Sequence, residues 1–262
     1  RFLLANGRID QGMMEFRLAA DRDVRYVEYG AMILARRVAD VKMLMSWPIH
    51  PEQKSLYFDA LSRHLARIGR NDDAATLDAR NAALPHPAPD ALLRQANRLA
   101  FVDTAQAMAL AEQLNAIEGH QKDALLLRAK IHQRRGNREK ALAVLTTAPK
   151  DIANTPEVLR MLATLYLEVK RVDDALATAH RLYRQAVSVA DRVSAVCFEG
   201  DLQMRAGRYH SALASYKQAL AMVPYDTRVM KKILDAAQRA KDFQLSRDMR
   251  MRLGVSEPSP VK

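Results

Sequence analysis

The side chains that most often do chemistry are sparse in this sequence, and their spacing does not bring them together. The seven histidines form no HxxxH pair and no arrangement with Cys or Asp that is typical of zinc. The single cysteine, Cys197, has no histidine in its own helical turn to activate it, so we expect it to pack within a helix. Neither a GxxxxGK[ST] nor a GxGxxG phosphate loop occurs. The sequence therefore predicts no catalytic residue, no cofactor, no metal site and no enzymatic activity.

The acidic pairs of the sequence have a structural explanation. Asp72 with Asp73, and Asp173 with Asp174, each follow a predicted turn. Carboxylates at this place suit the first turn of a helix, where they interact favourably with the helix dipole. We therefore interpret both pairs as helix starts and not as general acid–base groups.

The overall composition favours helices as the elements that carry these side chains. Hydrophobic residues make up 49% of the 262 residues, mostly as Ala and Leu, whereas aromatic residues reach only 6% and Gly only 9 positions. Ala and Leu are strong helix formers, and β-branched and aromatic residues favour strands. No apolar run approaches the roughly 18 residues of a membrane span. The composition predicts an all-α protein with no membrane span in this segment.

A repeat is clearest in the stretch GDLQMRAGRYHSALASYKQALAMVP. With residue 193 as position 1, positions 8, 15, 20, 24 and 32 are occupied by Gly200, Gly207, Ala212, Tyr216 and Pro224. Small residues at positions 8 and 20 let two helices approach closely, and the glycine at 15 can end the first helix. Tyr216 is predicted to fill the space between hairpins, and Pro224 to stop the second helix.

The same frame recurs along the chain. Copies start near residues 88, 122, 156 and 193, of which the first three are 34 residues apart. The last step is 37 residues, which predicts a three-residue insertion around residues 188–192. A further copy starts near residue 55, a shorter hairpin covers 26–46 before a non-helical break at 47–51, and a final hairpin covers 227–253. Gly7, Phe16 and Ala19 resemble the end of a truncated hairpin.

This period and these positions resemble the tetratricopeptide repeat (TPR). The resemblance implies an all-α, right-handed superhelical TPR-like α-solenoid of about six helical hairpins plus a partial one. We expect degenerate N-terminal TPR-like hairpins at 1–50, the TPR array at 51–254 and a linker or disordered end at 255–262. The sequence has neither an initiator Met nor a signal segment at its start. We therefore expect it to be part of a longer chain.

The resemblance also implies where a ligand binds. In TPR arrays the first helix of each hairpin lines a binding groove, and acids are interspersed with the predicted groove cations here. The cations at the corresponding positions of this sequence are Arg63, Arg67, Lys130, Arg134, Arg160, Arg205, Arg228, Lys231 and Arg239. This modestly basic mixture predicts another protein as the partner, with an acidic or mixed-charge surface.

Two TPR-related modes of recognition do not fit. The groove lacks the asparagines with which TPR domains clamp the C-terminal carboxylate of chaperones. It also lacks the polar code with which pentatricopeptide arrays read RNA bases, so we expect no sequence-specific nucleic-acid binding. The net charge of +11 leaves open an anionic-ligand module that binds polysaccharide or nucleic acid. The sensor region of a transcription regulator is a further alternative.

The Ala/Arg-rich, degenerate repeats are similar to the periplasmic TPR segments of bacterial exopolysaccharide-secretion outer-membrane proteins. That similarity implies a scaffold that recruits a partner protein in a cell-envelope assembly. It also implies a periplasmic location. A lone cysteine fits this compartment and equally the cytoplasm, which stays the alternative.

Overall fold

The computed structural model describes residues 8–47 and 49–255, and within them the chain is all-α, as predicted. These residues form sixteen α-helices and one short 3-10 helix, with no strand among them. The chain divides into two compact units, Arg1–Arg135 and Gly136–Lys262. The boundary between them falls within the array that the sequence predicts for 51–254, and the predicted regions themselves stay a prediction.

The first unit consists of helices that pack against one another in chain order, apart from the short third helix. They are α1 (Ile9–Arg22), α2 (Arg25–Arg37), α3 (Val41–Met45), α4 (Lys54–Arg67), α5 (Asn71–Ala82), α6 (Pro89–Leu99), α7 (Thr104–Asn115) and α8 (Gln121–Arg134). The 3-10 helix Pro51–Gln53 leads into α4. In addition, α2 packs against α4 and α6 against α8, so alternate helices also form a layer. This is the arrangement expected of stacked helical hairpins.

An aromatic cluster holds the start of the first unit together. The rings of Trp47 and Tyr57 meet edge to face, with their centroids 4.6 Å apart. The Trp47 indole N–H donates to the carbonyl of Met13 at 2.7 Å, and the Tyr57 hydroxyl donates to the carbonyl of Leu44 at 3.0 Å. Trp47 belongs to the predicted non-helical break, and the structure confirms that it lies outside a helix. The break therefore supplies a core residue, although its Pro48 lies outside the described residues.

The second unit continues the pattern. Its helices are α9 (Arg138–Thr146), α10 (Lys150–Ala153), α11 (Pro156–Glu168), α12 (Val172–Gln185), α13 (Val189–Arg205), α14 (Tyr209–Met222), α15 (Thr227–Arg239) and α16 (Phe243–Leu253). From α11 onward each helix packs against the next. The four-residue α10 was not predicted; it fills the connection between α9 and α11. The predicted final hairpin is confirmed by α15 and α16.

The extra residues around 188–192 lengthen a helix. Helix α13 begins at Val189 and runs for 17 residues, whereas α11 has 13 and α12 has 14. Ser188 caps this start, because its hydroxyl accepts from the backbone N–H of Asp191 at 3.0 Å. The Asp191 carboxylate in turn reaches back to the Ser188 hydroxyl and backbone N–H, which completes a capping box. The predicted insertion is thus one additional helical turn.

The turns inside the hairpins require a left-handed backbone at one residue. Gly207, between α13 and α14, has φ +75° and fulfils its predicted role of ending the first helix. At the equivalent place between α11 and α12 stands Lys170, with φ 64°. A side chain in this conformation costs energy that glycine does not. The predicted linker at 255–262, apart from Val255, and Gly7 lie outside the described residues.

Candidate functional site

Three of the predicted groove cations converge on one cleft of the second unit. Helices α13, α14 and α15 border an open cleft of about 520 Å³. The residues that line this space are Asp201, Met204, Arg205, Tyr216, Lys231, Lys232, Asp235 and Arg239. We call this space the α13–α15 cleft. Its volume lies in the range of known ligand sites, about 300–1,000 Å³.

The floor of the α13–α15 cleft is a hydrogen-bonded group centred on Asp201. The Tyr216 hydroxyl donates to the Asp201 carboxylate at 2.7 Å, and the Lys232 ammonium donates to the same oxygen at 2.5 Å. Lys232 also lies over the Tyr216 ring, 5.6 Å from its centroid. The pKa of Tyr216 is raised mainly by burial and to a smaller extent by the hydrogen bond to Asp201. The tyrosine therefore stays a protonated donor, and the floor is fixed before any ligand arrives.

Gly200 makes room for the floor. Tyr216 is only 2% exposed, and its ring lies directly against the backbone of α13 at Gly200. A Cβ atom added at Gly200 would stand 2.4 Å from Cε1 of Tyr216, much closer than van der Waals contact allows. The predicted close approach at repeat position 8 is confirmed here. The glycine determines where the tyrosine ring, and with it the Asp201 group, can lie.

The rim of the cleft carries cations with and without partners. Arg239 donates from Nε to the Asp235 carboxylate at 3.2 Å, and this hydrogen bond is the main cause that raises the pKa of Arg239. Arg205 and Lys231 are exposed, and neither side chain makes a hydrogen bond or ion pair with any residue that the structure describes. The rim can therefore offer two uncommitted positive charges to a ligand carboxylate, beside the apolar side chain of Met204.

The α13–α15 cleft does not offer an evident nucleophile. Cys197 lies on α13 one turn before Asp201 and is half-buried, in agreement with the predicted packing role. Burial raises the pKa of its thiol, although the charge of Lys232 acts in the opposite direction. The protonated thiol is a poor nucleophile. Across residues 8–47 and 49–255, no three His, Cys, Asp or Glu side chains are grouped to hold a metal ion.

Two further predicted cations of the second unit are occupied elsewhere. Arg160 donates to the Ser194 hydroxyl at 2.9 Å and lies over the Phe198 ring, 4.9 Å from its centroid. Arg228 holds the carboxylate of Asp226, the N-cap residue of α15, at 2.9 Å. Arg160 thus links α11 to α13, Arg228 pairs with the capping carboxylate of α15, and neither lines the α13–α15 cleft.

The predicted cations Arg63 and Arg67 lie on α4 of the first unit. Arg63 is held between two acids, with 3.0 Å to Asp59 on its own helix and 3.0 Å to Glu28 on α2. Arg67 is exposed and its guanidinium lies 3.3 Å from Nδ1 of His64. Arg63 is therefore engaged in holding α2 and α4 together.

The predicted cations Lys130 and Arg134 lie on α8, also in the first unit. Arg134 donates to the carbonyl of Asn97 at 3.0 Å and lies over the Phe101 ring at 5.3 Å. The pKa of Lys130 is lowered mainly by desolvation and to a smaller extent by the charge of Arg134. These two side chains form a basic surface on α8 that no acid among its described neighbours is shown to neutralise. Their role in binding stays a prediction.

The part played by Lys232 in the floor of the cleft was not predicted from the sequence. Lys232 stands one residue after the groove position Lys231. In the sequence, this position indicates only that the asparagine of a carboxylate clamp is missing. A lysine on the helix that packs against the buried Tyr216 could have indicated the contact with Asp201. Met204 was not predicted either, since a lone methionine in a helix gives no directional signal.

Comparisons with known proteins agree with this architecture. A family model described as tetratricopeptide repeat matches residues 99–163. A thermophilic TPR protein of Thermus thermophilus is 21% identical, with a TM-score of 0.51, over 70% of this chain and 99% of that one. A tetratricopeptide repeat protein of Parabacteroides merdae is 18% identical, with a TM-score of 0.53, over 78% of this chain and 80% of that one.

A comparison with curated proteins finds no match. None of the helices within the described residues is long and apolar enough to cross a membrane. The fold is nevertheless assigned by three agreeing observations: the 34-residue frame, the matched repeat and the likeness to the two structures. Residues 99–163 thus match a tetratricopeptide repeat, and the described residues share the all-α fold of the two similar TPR structures.

Proposed function

We propose that this chain is a protein–protein interaction scaffold whose α13–α15 cleft binds an acidic or mixed-charge segment of a partner protein. Folds of this repeat type generally mediate protein–protein interaction, and proteins built from them are generally not enzymes. Stacked repeats present a continuous surface that a partner segment can follow. The α13–α15 cleft adds a preference for acidic groups of the partner.

The observation that carries the proposal is the pair of uncommitted cations beside a fixed floor. Asp201 is already satisfied by Tyr216 and Lys232, so a ligand does not have to reorganise it. Arg205 and Lys231 have no ion pair among the described residues, so a ligand carboxylate does not have to displace an internal partner. A preorganised site loses less free energy on binding than a flexible one. An Asp or Glu side chain of the partner is the ligand that this geometry favours.

The biological setting that we propose is a bacterial cell-envelope assembly such as exopolysaccharide secretion, in the periplasm. This part rests on the similarity of the Ala/Arg-rich, degenerate repeats to the TPR segments of secretion proteins. In such an assembly the scaffold recruits a partner protein to the export site. The partner is an envelope protein with an acidic surface segment.

The recruitment proposal is tested by titrating the chain with the proteins encoded beside its gene, using isothermal calorimetry. We expect one of them to bind with a dissociation constant of about 10 µM or tighter. The double variant Arg205→Glu, Lys231→Glu should lose that binding, while the single variant Lys217→Glu, which reverses an exposed charge outside the cleft, should retain it. Absence of binding by every neighbour would overturn the recruitment proposal.

A further inference from the structure

A second cleft, in the first unit, differs from the α13–α15 cleft because cations line it and acids do not. It lies where α3, α4 and α5 meet and encloses about 410 Å³. Its lining consists of cations, apolar side chains and one hydroxyl, and it includes no acid: Lys42, Met45, Ser46, Lys54, Phe58, Arg80, Ala83 and Leu84. We call this space the α3–α5 cleft. It is separate from the site to which the partner-binding function is assigned.

The three cations of the α3–α5 cleft come from three different helices. Lys42 lies in the first turn of α3, Lys54 begins α4, and Arg80 is in the last turn of α5. None of the three makes an ion pair with a described residue. Elsewhere in this unit Arg63 and Arg94 are both held by carboxylates. The fold therefore brings together three positive charges here without neutralising them.

The acids nearest in sequence to Lys42 and Lys54 form no ion pair with them. Asp40 uses its carboxylate to cap α3, accepting from the backbone N–H of Lys42 at 2.8 Å. Glu52 lies 3.9 Å from the ring of His50. Neither of these acids lines the cleft. Like charges placed together repel one another, and a bound anion relieves that repulsion.

The remainder of the lining is apolar and partly rigid. Phe58 is 1% exposed, and Lys54 Nζ lies 5.8 Å from the centroid of its ring. Leu84 and Met45 pack against the core of the unit from the other sides. The Ser46 hydroxyl donates to the carbonyl of Met43 at 2.9 Å, which leaves its oxygen lone pairs free to accept. A ligand that fills this cleft thus needs a charged head and a small apolar body.

We propose that the α3–α5 cleft is a binding site for a small organic phosphate monoester. A phosphate monoester carries a charge of about −1.5 to −2 at pH 7 and offers three acceptor oxygens, which matches three convergent cations better than a single carboxylate does. Its organic part lies against Met45 and Leu84, which are partly exposed. A cleft of this volume accommodates a small molecule, and its lining determines the class of ligand.

The test uses phenyl phosphate as the probe and follows its binding to the full chain by calorimetry at low salt. We expect saturable binding that is about threefold or more tighter than that of methyl phosphate, because the phenyl ring reaches the apolar lining. Arg80→Gln and Lys54→Gln should each weaken binding about five- to tenfold. Raising the salt concentration from about 50 to 500 mM should weaken it further.

The control is Arg37→Gln, which removes an exposed cation of the same unit that does not line the cleft. It should leave the affinity unchanged, and circular dichroism should show that all three variants are folded. No saturation by phenyl phosphate at about 10 mM would overturn the proposal. So would equal losses in Arg37→Gln and Arg80→Gln, since this result would show only non-specific attraction to a basic surface.

Discussion

Replacement of Gly200 by alanine tests the packing that shapes the α13–α15 cleft. A methyl group at this place would stand 2.4, 2.7 and 2.8 Å from three atoms of the Tyr216 ring, whereas ordinary contact begins at 3.4 Å. The ring would therefore have to move by about 1 Å, although it is only 2% exposed. This movement would also strain the 2.7 Å hydrogen bond to Asp201.

The expected magnitude follows from two opposing contributions. Overpacking of a filled core costs about 1–3 kcal/mol, and alanine in place of glycine within a helix contributes about 0.5–1 kcal/mol of stability. We therefore expect Gly200→Ala to lower the free energy of unfolding by about 1–2 kcal/mol. Urea unfolding followed by circular dichroism measures the loss, and hydrogen exchange should place the lost protection in α13 and α14.

A double-mutant cycle separates this clash from a general effect of the substitution. Tyr216→Leu removes the ring atoms that the new methyl group would meet, so Gly200→Ala should cost much less in that background. If Gly200→Ala is as stable as the natural sequence, or costs the same with and without the tyrosine ring, then the close approach of Gly200 and Tyr216 does not control this packing.

Three further perturbations have defined outcomes. Arg94→Ala should lower the free energy of unfolding by about 2–3 kcal/mol, because it leaves the fully buried carboxylate of Asp78 with Arg98 as its remaining partner. Burial, followed by the charge of Arg67, lowers the pKa of His64, so the folded chain binds this proton less readily than the unfolded chain, whose histidine pKa is about 6.5. The stability measured by urea unfolding should therefore fall as the pH drops below about 6.5, and His64→Gln should remove this part of the pH dependence. Cys197, whose pKa is raised mainly by burial, should react with iodoacetamide at pH 8 more slowly in the folded chain than in urea, as measured by mass spectrometry.

Each of these three expectations has a contrary result. Arg17→Ala removes an exposed ion pair of 3.9 Å and should change the stability by less than about 0.5 kcal/mol. A loss as large as that of Arg94→Ala would show that the buried ion pairs of Arg94 stabilise the fold no more than an exposed ion pair does. An unchanged pH dependence in His64→Gln, or equal alkylation rates of Cys197, would contradict the burial on which those two predictions depend.

The repeat frame could be predicted from sequence because each of its positions has a local physical reason. Gly207 and Pro224 mark helix ends through backbone conformation, which is a property of the residue itself. Gly200 and Tyr216 stand at fixed positions of the repeat, and the structure confirms their contact. In the sequence, the extension of α13 appears only as an irregular repeat spacing. The capping box at Ser188, which the structure reveals, shows that the extra residues are helical.

The candidate sites were less predictable, because ion pairing is decided by neighbours on other helices. Arg63 and Arg205 hold predicted groove positions, yet Arg63 is bound by Glu28 and Asp59 while Arg205 has no such partner among the described residues. The α3–α5 cleft depends on Lys42, which lies in a segment whose repeat pattern is degenerate. A set of repeat positions could identify candidate cations, but it could not show which of them are uncommitted.

The most direct test of the proposed function is the affinity of the α13–α15 cleft for a peptide. A peptide selected on the chain from a random library should be rich in Asp and Glu and should protect α13, α14 and α15 from hydrogen exchange. Calorimetry should then show that the double variant Arg205→Glu, Lys231→Glu binds the same peptide about 100-fold more weakly. Equal affinity of the natural and double-variant chains would contradict the assignment of this cleft as the partner-binding site.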